Sequence, residues 1–504
     1  MLCRSNFALN GRRIVVTNFL AHFGRLALAM TFVAPVLGAD APKPIEPLPS
    51  PRQLSWINDE LTMFIHFGMN TFTGRGTGLG SEDEKLFNPT ELDCRQWVRA
   101  AKENGFRGMI LTAKHHDGFC LWQTKTTNHS VAKSNWKDGK GDVVRELSDA
   151  CKAEGMKLGI YCSPWDRSID FYDSDKPRYA EMYRNQLTEL LSNYGPVYEM
   201  WFDGNKANVA DWPNIIKVVR TLQPDAVIKQ GPRVEPIQED LRWVGNEQAC
   251  APITNWSVYP APNEGDENAR RIWFPVECDT MMNGHWFWDE NPPRDLPTLL
   301  NFYYTSVGRN SILMLNVAPD KRGLFSDECL ARLREFHDAL KKIFGTDLAA
   351  GKKATASNVR GNDSKFAAEN VLDGNNETYW ATDDDVTTPT IEIDLGGDVE
   401  FNVIRTEEMI SLGQRVAEYK LEALVDGNWK QIGGGKTIGN RKLDRVPRTK
   451  ASKIRLTITK SRACPTIRAI GVHLDGVSPP EVFEPALANK EVVRGTRATT
   501  RPAQ

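Results

Sequence analysis

Neither sign of charge dominates this chain, in which 63 Lys and Arg stand against 65 Asp and Glu. Without a basic excess there is no electrostatic pull toward nucleic acid or an anionic lipid surface, so neither is expected as a partner. Long apolar runs are missing after the first 38 residues, so no membrane association is expected once that segment is removed. The nine cysteines contain no CxxC pair, which argues against a zinc site and against a dense disulfide framework. Apart from Cys3, they read as small buried apolar residues, with an isolated bridge left open. There is no low-complexity tract, and 40% hydrophobic with 25% charged residues is an ordinary globular composition. At 504 residues the chain exceeds what one core usually supports, so two folded domains are expected.

Residues 1–39 read as a signal peptide. Arg12, Arg13 and Arg25 precede an apolar run from Leu26 to Leu37 that ends in Gly38-Ala39. Export to the periplasm or the extracellular space follows as an expectation. Residues 40–51 are proline-rich and read as a linker.

From residue 52 to 345 the pattern alternates. Strand-like apolar runs occur at 61–69, 107–116, 157–165, 196–202, 226–230, 241–246, 271–278 and 311–317. Amphipathic helical stretches at 93–104, 142–154, 177–194 and 211–223 separate the early ones, and one at 326–344 closes the series. Gly105, Gly155 and Gly195 end three of them as left-handed caps. Strand and helix in repeat predict an α/β fold, a (β/α)8-like barrel of the TIM type. It should be irregular at 224–280, where no good helix is visible. From 351 to 477 the texture becomes alternating polar and apolar, as in Thr390-Ile-Glu-Ile-Asp-Leu395, with Gly-rich turns. An antiparallel β-sandwich is expected there. Residues 478–504 are polar and aperiodic and read as a disordered tail.

Barrel chemistry collects where strands end, because the loops that follow them form one face. That rule selects His66, then Lys114-His115-His116-Asp117, then Tyr161-Cys-Ser-Pro-Trp165, then Trp201-Phe-Asp203-Gly204, then Trp243-Val-Gly-Asn246-Glu247. Aromatic faces among hydrogen-bonding groups suit a sugar. A metal site of His66, His115, His116 and Asp117 is the rival, weakened because adjacent strand residues point to opposite faces. Asp203, after an apolar strand and before a glycine, stands at the barrel mouth, where a turn-forming Asp-Gly is the plainer alternative. Asp203 with Glu247 would make the carboxylate pair that a retaining glycosidase uses. Glu235, Glu239, Glu264, Glu267 and Glu277 compete with Glu247 for the acid/base position.

These segments resemble the α-L-fucosidases of glycoside hydrolase family 29, in particular the branch acting on α-1,3 and α-1,4 linkages. The matching set is Phe64-Ile-His-Phe-Gly68, Leu86-Phe-Asn-Pro89, Lys114-His-His-Asp-Gly-Phe119, Trp201-Phe-Asp-Gly204, Trp243-Val-Gly-Asn-Glu247 and Ser306-Val-Gly-Arg-Asn310 with Leu315-Asn-Val317. The resemblance implies a retaining exo-enzyme with Asp203 as nucleophile and Glu247 as acid/base. It also implies a fucosylated oligosaccharide or glycoconjugate as substrate and no cofactor for catalysis. His66, Glu82, His115, His116, Tyr161 and Trp201 would line the sugar subsite, with Trp286 as a further stacking face. Where this branch often shows Glu-Trp-Gly, the chain has Gly76-Thr77-Gly78. Two alternatives stand beside this expectation: an inactive carbohydrate-binding protein on the same scaffold, and a hydrolase of a related glycone such as an α-L-galactoside.

Residues 371–380 resemble the discoidin-like F5/8 type C domains through Val371-Leu-Asp-Gly374 and Thr378-Tyr-Trp380. That resemblance implies a structural calcium at Asp373, Asn375 and Thr378.

Overall fold

The computed structural model describes residues 38–203, 209–229, 237–262 and 270–478. The expected signal peptide and C-terminal tail thus lie outside the described residues, apart from their inner ends. Ten strands fall in the first part: β1 (Leu61–Ile65), β2 (Gly108–Lys114), β3 (Lys157–Cys162), β4 (Glu199–Trp201), β5 (Val227–Lys229), β6 (Arg242–Trp243), β7 (Val258–Tyr259), β8 (Ile272–Trp273), β9 (Val276–Met281) and β10 (Ile312–Asn316). Eight of them form a parallel sheet in the order β5-β4-β3-β2-β1-β10-β9-β6. A single parallel bridge from Lys229 to Leu241 joins β5 to β6, so the sheet all but closes into the expected barrel.

The seventh barrel strand differs from the expected 271–278. Pro275 divides that apolar run. Ile272–Trp273 pairs antiparallel with Val258–Tyr259 outside the barrel, and the barrel strand runs from Val276 to Met281. Its inward positions carry Glu277 and Asp279, both buried, and this polar content hides the strand from a hydrophobicity reading.

Among the described residues, eight α-helices surround the barrel: α1 (Pro51–Ile57), α2 (Met69–Thr73), α3 (Cys94–Glu103), α4 (Val143–Glu154), α5 (Lys176–Asn193), α6 (Trp212–Leu222), α7 (Leu296–Thr305) and α8 (Asp327–Phe344). Side-chain caps explain most of their starts. Asp93, Asp142, Asp175, Asp295 and Ser326 each accept a bond from a backbone N–H of the first turn. α1, where the linker was expected to end, starts from a capping box between Ser50 and Gln53. It lies against the barrel through Trp56, whose Nε1 donates to Glu199 at 3.0 Å. α7 was not expected because Leu299 to Thr305 are all buried, which erases the amphipathic period.

The second part is an antiparallel β-sandwich of seven strands: β11 (Lys353–Ala356), β12 (Trp380–Ala381), β13 (Thr390–Glu408), β14 (Val416–Val425), β15 (Asn428–Lys436), β16 (Lys442–Ser461) and β17 (Thr466–His473). β13 and β16 are long, and breaks in their register near Asp394 and Phe401 let each serve two layers. Trp380, Phe401 and Tyr419 fill the space between. All eight cysteines of the described residues are buried free thiols. No helix of the described residues is long and apolar enough to cross a membrane.

The sandwich joins the barrel where β1 and β10 begin, at the end opposite the strand C-termini. Leu443 N donates to Gly308 O at 3.0 Å and Asn440 N to Asn310 Oδ1 at 2.8 Å. A side chain on Gly439 would fall 2.2 Å from Asn310, so this contact requires glycine. Arg441 bridges the parts, pairing with Glu60 beside β1 and, at 2.7 Å, with Glu407 of β13. Glu407 also meets Arg468 at 2.7 Å. Burial would raise the Glu407 carboxyl, but Arg441, Arg468 and Arg405 outweigh it and hold it at about 2. Removing one member leaves buried charge unpaired, which costs on the order of 3–5 kcal/mol. Glu407→Gln should therefore lower the thermal midpoint by several degrees. Because the folded carboxyl is depressed, its contribution is fully present above the ordinary carboxyl range and is lost as pH falls through it toward about 2. The gap between wild type and variant should be constant near neutral pH and narrow, without closing, as melting curves are taken down to pH 3.

Candidate active site

Asp203 follows β4 and points into the barrel mouth, its side chain 31% exposed. Its Oδ2 accepts from His116 Nε2 at 3.2 Å and from Tyr161 OH at 3.3 Å. Burial works to raise this carboxyl, but His116, Lys229 and Tyr161 prevail and hold it below its ordinary value. The carboxylate is thus ionised in the working range. Tyr161 is pushed the other way, well up, by burial and then by Asp203, so it remains a neutral donor.

His116 is aimed by its second nitrogen. Nδ1 lies 2.7 Å from Ser163 Oγ, and that hydroxyl is tied to Trp165 O at 2.8 Å. The turn carrying His116 needs Gly118, with φ +83°, because a Cβ there would meet Asp166 Oδ1 at 2.2 Å.

His66, one residue past β1, has Nδ1 at 2.8 Å from Asn316 Oδ1. Asn316 Nδ2 donates to Trp286 O at 2.7 Å, which fixes which end of the amide faces the ring. Asn316 therefore presents an acceptor, His66 carries its proton on Nδ1, and Nε2 is left as a lone pair. Burial lowers His66 to about 3, so the ring is neutral. His115 is held neutral as well, by burial first and then by His116 and His66, and its Nδ1 has no partner among the described residues. A buried ring nitrogen without a partner is costly, so this one calls for an explanation.

Aromatic rings wall this pocket. Trp201 stands 5.0 Å from Tyr161, Trp286 stands 4.8 Å from His66, and Phe287 lies edge-on to both His66 and His115. Asp203, His66, His115, His116, Tyr161, Trp201 and Trp286 are thus brought together. Glu82 is held differently. Its oxygens accept from Leu79 N at 2.6 Å and Gly80 N at 2.7 Å, so its carboxylate fastens its own loop.

Glu247 is exposed on the turn after β6. Its backbone is tethered to β9 by Thr280 Oγ1 at 3.0 Å, and its charge reaches the buried Asp279. Of the competing acids, Glu235, Glu264 and Glu267 lie outside the described residues, Glu239 is 6% exposed, and Glu277 is sealed inside the barrel. Among the described residues no three His, Cys, Asp or Glu side chains converge as a metal site. In the sandwich, Asp373 accepts from Asn375 N at 2.8 Å and from Thr378 Oγ1 at 2.7 Å, so the three residues of the expected calcium site share one exposed loop.

Sequence reasoning missed Phe287, Asn316, Ser163 and Lys229. Asn316 and Ser163 sat within motifs already selected as strand ends. The others carry no local signal, since a phenylalanine beside a tryptophan and a lysine after an apolar run are common.

The pocket combines one ionised carboxylate, neutral acceptors and donors, and flat apolar walls. It can hold a small hydroxylated ring and deliver a nucleophile to it. Residues 80–343 match the family profile Alpha-L-fucosidase, and residues 353–470 match F5/8 type C domain. Alpha-L-fucosidase 1 of Arabidopsis thaliana is 38% identical over 92% of this chain and 94% of its own. The fold is similar to the Ruminococcus gnavus GH29 fucosidase solved in complex with fucose, with TM-score 0.80 and 32% identity over 87% of this chain and 97% of that one. It is also similar to a glycoside hydrolase 29 family member from a rumen bacterium, with TM-score 0.75 and 35% identity over 89% of this chain and 81% of that one.

Nitrogen-15 NMR of histidine-labelled protein tests the tautomer argument. With signals assigned through His66→Gln and His115→Gln variants, both rings should stay neutral from pH 8 to pH 5, His66 with its proton on Nδ1. A proton taken up by His66 between pH 7 and pH 5 would contradict it.

Proposed function

Because this chain belongs to the α-L-fucosidase family of glycoside hydrolases, we propose that it is a retaining exo-enzyme releasing terminal α-1,3- and α-1,4-linked L-fucose. The carrying observation is Asp203, an ionised carboxylate set among neutral sugar-binding groups at the barrel mouth. Asp203 attacks the anomeric carbon while Glu247 protonates the departing oxygen. Glu247 then serves as base for the water that frees the sugar with its configuration retained. This sequence needs the two carboxyls to approach to about 5–5.5 Å once substrate is bound.

His66 Nε2 and the unpartnered His115 Nδ1 accept from sugar hydroxyls, and Trp201 and Trp286 cover its C–H faces. Export, on the basic-then-apolar pattern of residues 1–39, would place the enzyme where fucosylated glycans are met. Catalysis draws on no cofactor in this scheme, and a calcium ion held by Asp373, Asn375 and Thr378 would brace the sandwich alone. Chelator should therefore lower the thermal midpoint and leave turnover of the folded enzyme intact. A midpoint unmoved by chelator would remove the calcium site.

Two substitutions separate the roles. Asp203→Asn should abolish formation of the glycosyl-enzyme, lowering kcat by several orders of magnitude on every fucoside. Glu247→Ala should spare aryl fucosides with good leaving groups, slow oligosaccharides strongly, and regain turnover with azide. Equal losses on both substrate types without azide rescue would move the acid/base role elsewhere. In a matched linkage panel, release from 1,3- and 1,4-linked fucose should exceed release from 1,2-linked fucose, and a preference for the 1,2 linkage would refute the specificity.

A further inference from the structure

Beneath the pocket, a charged cluster lies inside the barrel and is not used by the reaction scheme. Lys229, Glu277 and Glu199 are all fully buried. Lys229 Nζ stands 3.1 Å from the centroid of the Trp201 ring and 3.3 Å from Glu277 Oε1. The same Oε1 accepts from Trp201 Nε1 at 3.0 Å. Trp201 is therefore held on its edge by a carboxylate and on its face by an ammonium. The strand register opposes Lys229 to Trp201, and Lys229 O accepts from Phe202 N at 2.9 Å, directly before the nucleophile. Among the described residues Lys229 Nζ has no hydrogen-bond partner, so Glu277 and the indole face are its contacts.

Burying a lysine and two glutamates costs several kcal/mol per ion unless the arrangement is compensated. A barrel core could hold apolar residues here instead. What this cluster adds is a fixed cation that neither water nor sugar can reach, two strand positions from Asp203. Sugar entry strips water from Asp203, and loss of water favours the protonated acid. A protonated carboxyl is no nucleophile.

We propose that Lys229 is a positioning residue that supplies the fixed positive charge behind Trp201, setting the acid limit of catalysis, and that Glu277 holds Lys229 and the indole in register. The proposal rests on Asp203 as the nucleophile. Other groups facing Asp203 are His116, Tyr161 and His66. Those facing Lys229 are Glu277, Glu199 and Asp279. Burial and then Glu277 push Glu199 well up, so it stays protonated and the pair offers Lys229 a single negative partner. Asp279, raised by burial to about 7, is neutral at acid pH, where the proposal matters.

The test is the pH profile of kcat, which reads Asp203 in the sugar complex, beside that of kcat/KM on an aryl α-L-fucoside, with melting curves and trapping of the glycosyl-enzyme by a slow fluorinated fucoside. Lys229→Met should move the acidic limb to higher pH by on the order of one unit, a tenfold loss just below the limb. Lys229→Arg should keep the limb where it is. The double variant Lys229→Met with Glu277→Gln removes both charges and keeps an acceptor for Trp201, so it folds if the pair's charge is the only obstacle. Its limb should still be displaced upward. Folded variants with an unmoved limb, or variants that fail to fold in both forms, would assign the cluster to the fold alone and overturn the proposal. Trapping on a residue other than Asp203 would instead remove the nucleophile assignment, which keeps the two failures distinct.

Discussion

Asp203 keeps its charge although it is largely enclosed, and on the proposed reading it must go on doing so when a sugar displaces its water; the barrel mouth is arranged around that constraint. Direct donors meet part of it: His116 Nε2 and Tyr161 OH both converge on Oδ2. Each donor is itself held from behind, His116 through Ser163 and Tyr161 by the aromatic packing of the barrel interior. The surrounding imidazoles are made neutral by burial, so they add hydrogen bonds without adding like charge to the sugar side. Burial therefore has opposite uses within a few ångströms. It strips His66 of its proton, and it would protonate Asp203 if the neighbouring donors and the Lys229 ammonium did not oppose it.

A second consequence is the division of labour between the two ends of the barrel. The strand C-termini carry the polar side chains of the pocket, including His66, His116 and Asp203. The strand N-termini carry the joint to the sandwich, where Arg441 and Glu407 are fixed by several charge-assisted bonds. Stability and chemistry are thus placed at opposite faces, as the barrel architecture permits. Residues before β10 serve the joint, through Asn310, while Asn316 at its other end aims His66. A single five-residue strand connects the two functions.

Much of this was legible in the sequence because strand ends announce themselves. An apolar run that stops at a histidine or a carboxylate gave His66, His115, His116 and Asp203 their positions at the mouth. Local pattern failed where tertiary context sets the rule. Glu277 and Asp279 sit in a strand that reads as polar because it faces a charged barrel interior. α7 reads as apolar on every side because it is enclosed. The amide donors of Glu82, Leu79 N and Gly80 N, carry no sequence signal either, since the turn that brings them to its carboxylate is set by the loop as a whole. Lys229 is the sharpest case. Nothing local distinguishes it from a surface lysine, and its meaning comes from Trp201 on the next strand and Glu277 across the barrel.

The rim at residues 76–80, where the sequence departs from the pattern of its resemblance, is closely packed. A Cβ on Gly78 would fall 2.5 Å from that of Asp117, and the residue holds φ +69°, so no larger residue fits there without moving the loop. Glycine lets the backbone press onto the turn that carries His115 and His116. Arg167 locks the contact from above, donating to Gly78 O at 2.6 Å while its guanidinium lies 4.5 Å over the Trp165 ring. Trp165 in turn stands 5.0 Å from the His116 ring. The loop thus reaches His116, the hydrogen-bond partner of Asp203, through two stacked side chains. An aromatic wall built on residues 76–78 would need room that this packing has closed, so the flat face on this side comes from the loop after β3. The rim on this side of the pocket is therefore tight in backbone at Gly78 and aromatic at Trp165, with Leu79 the exposed apolar residue between them and solvent.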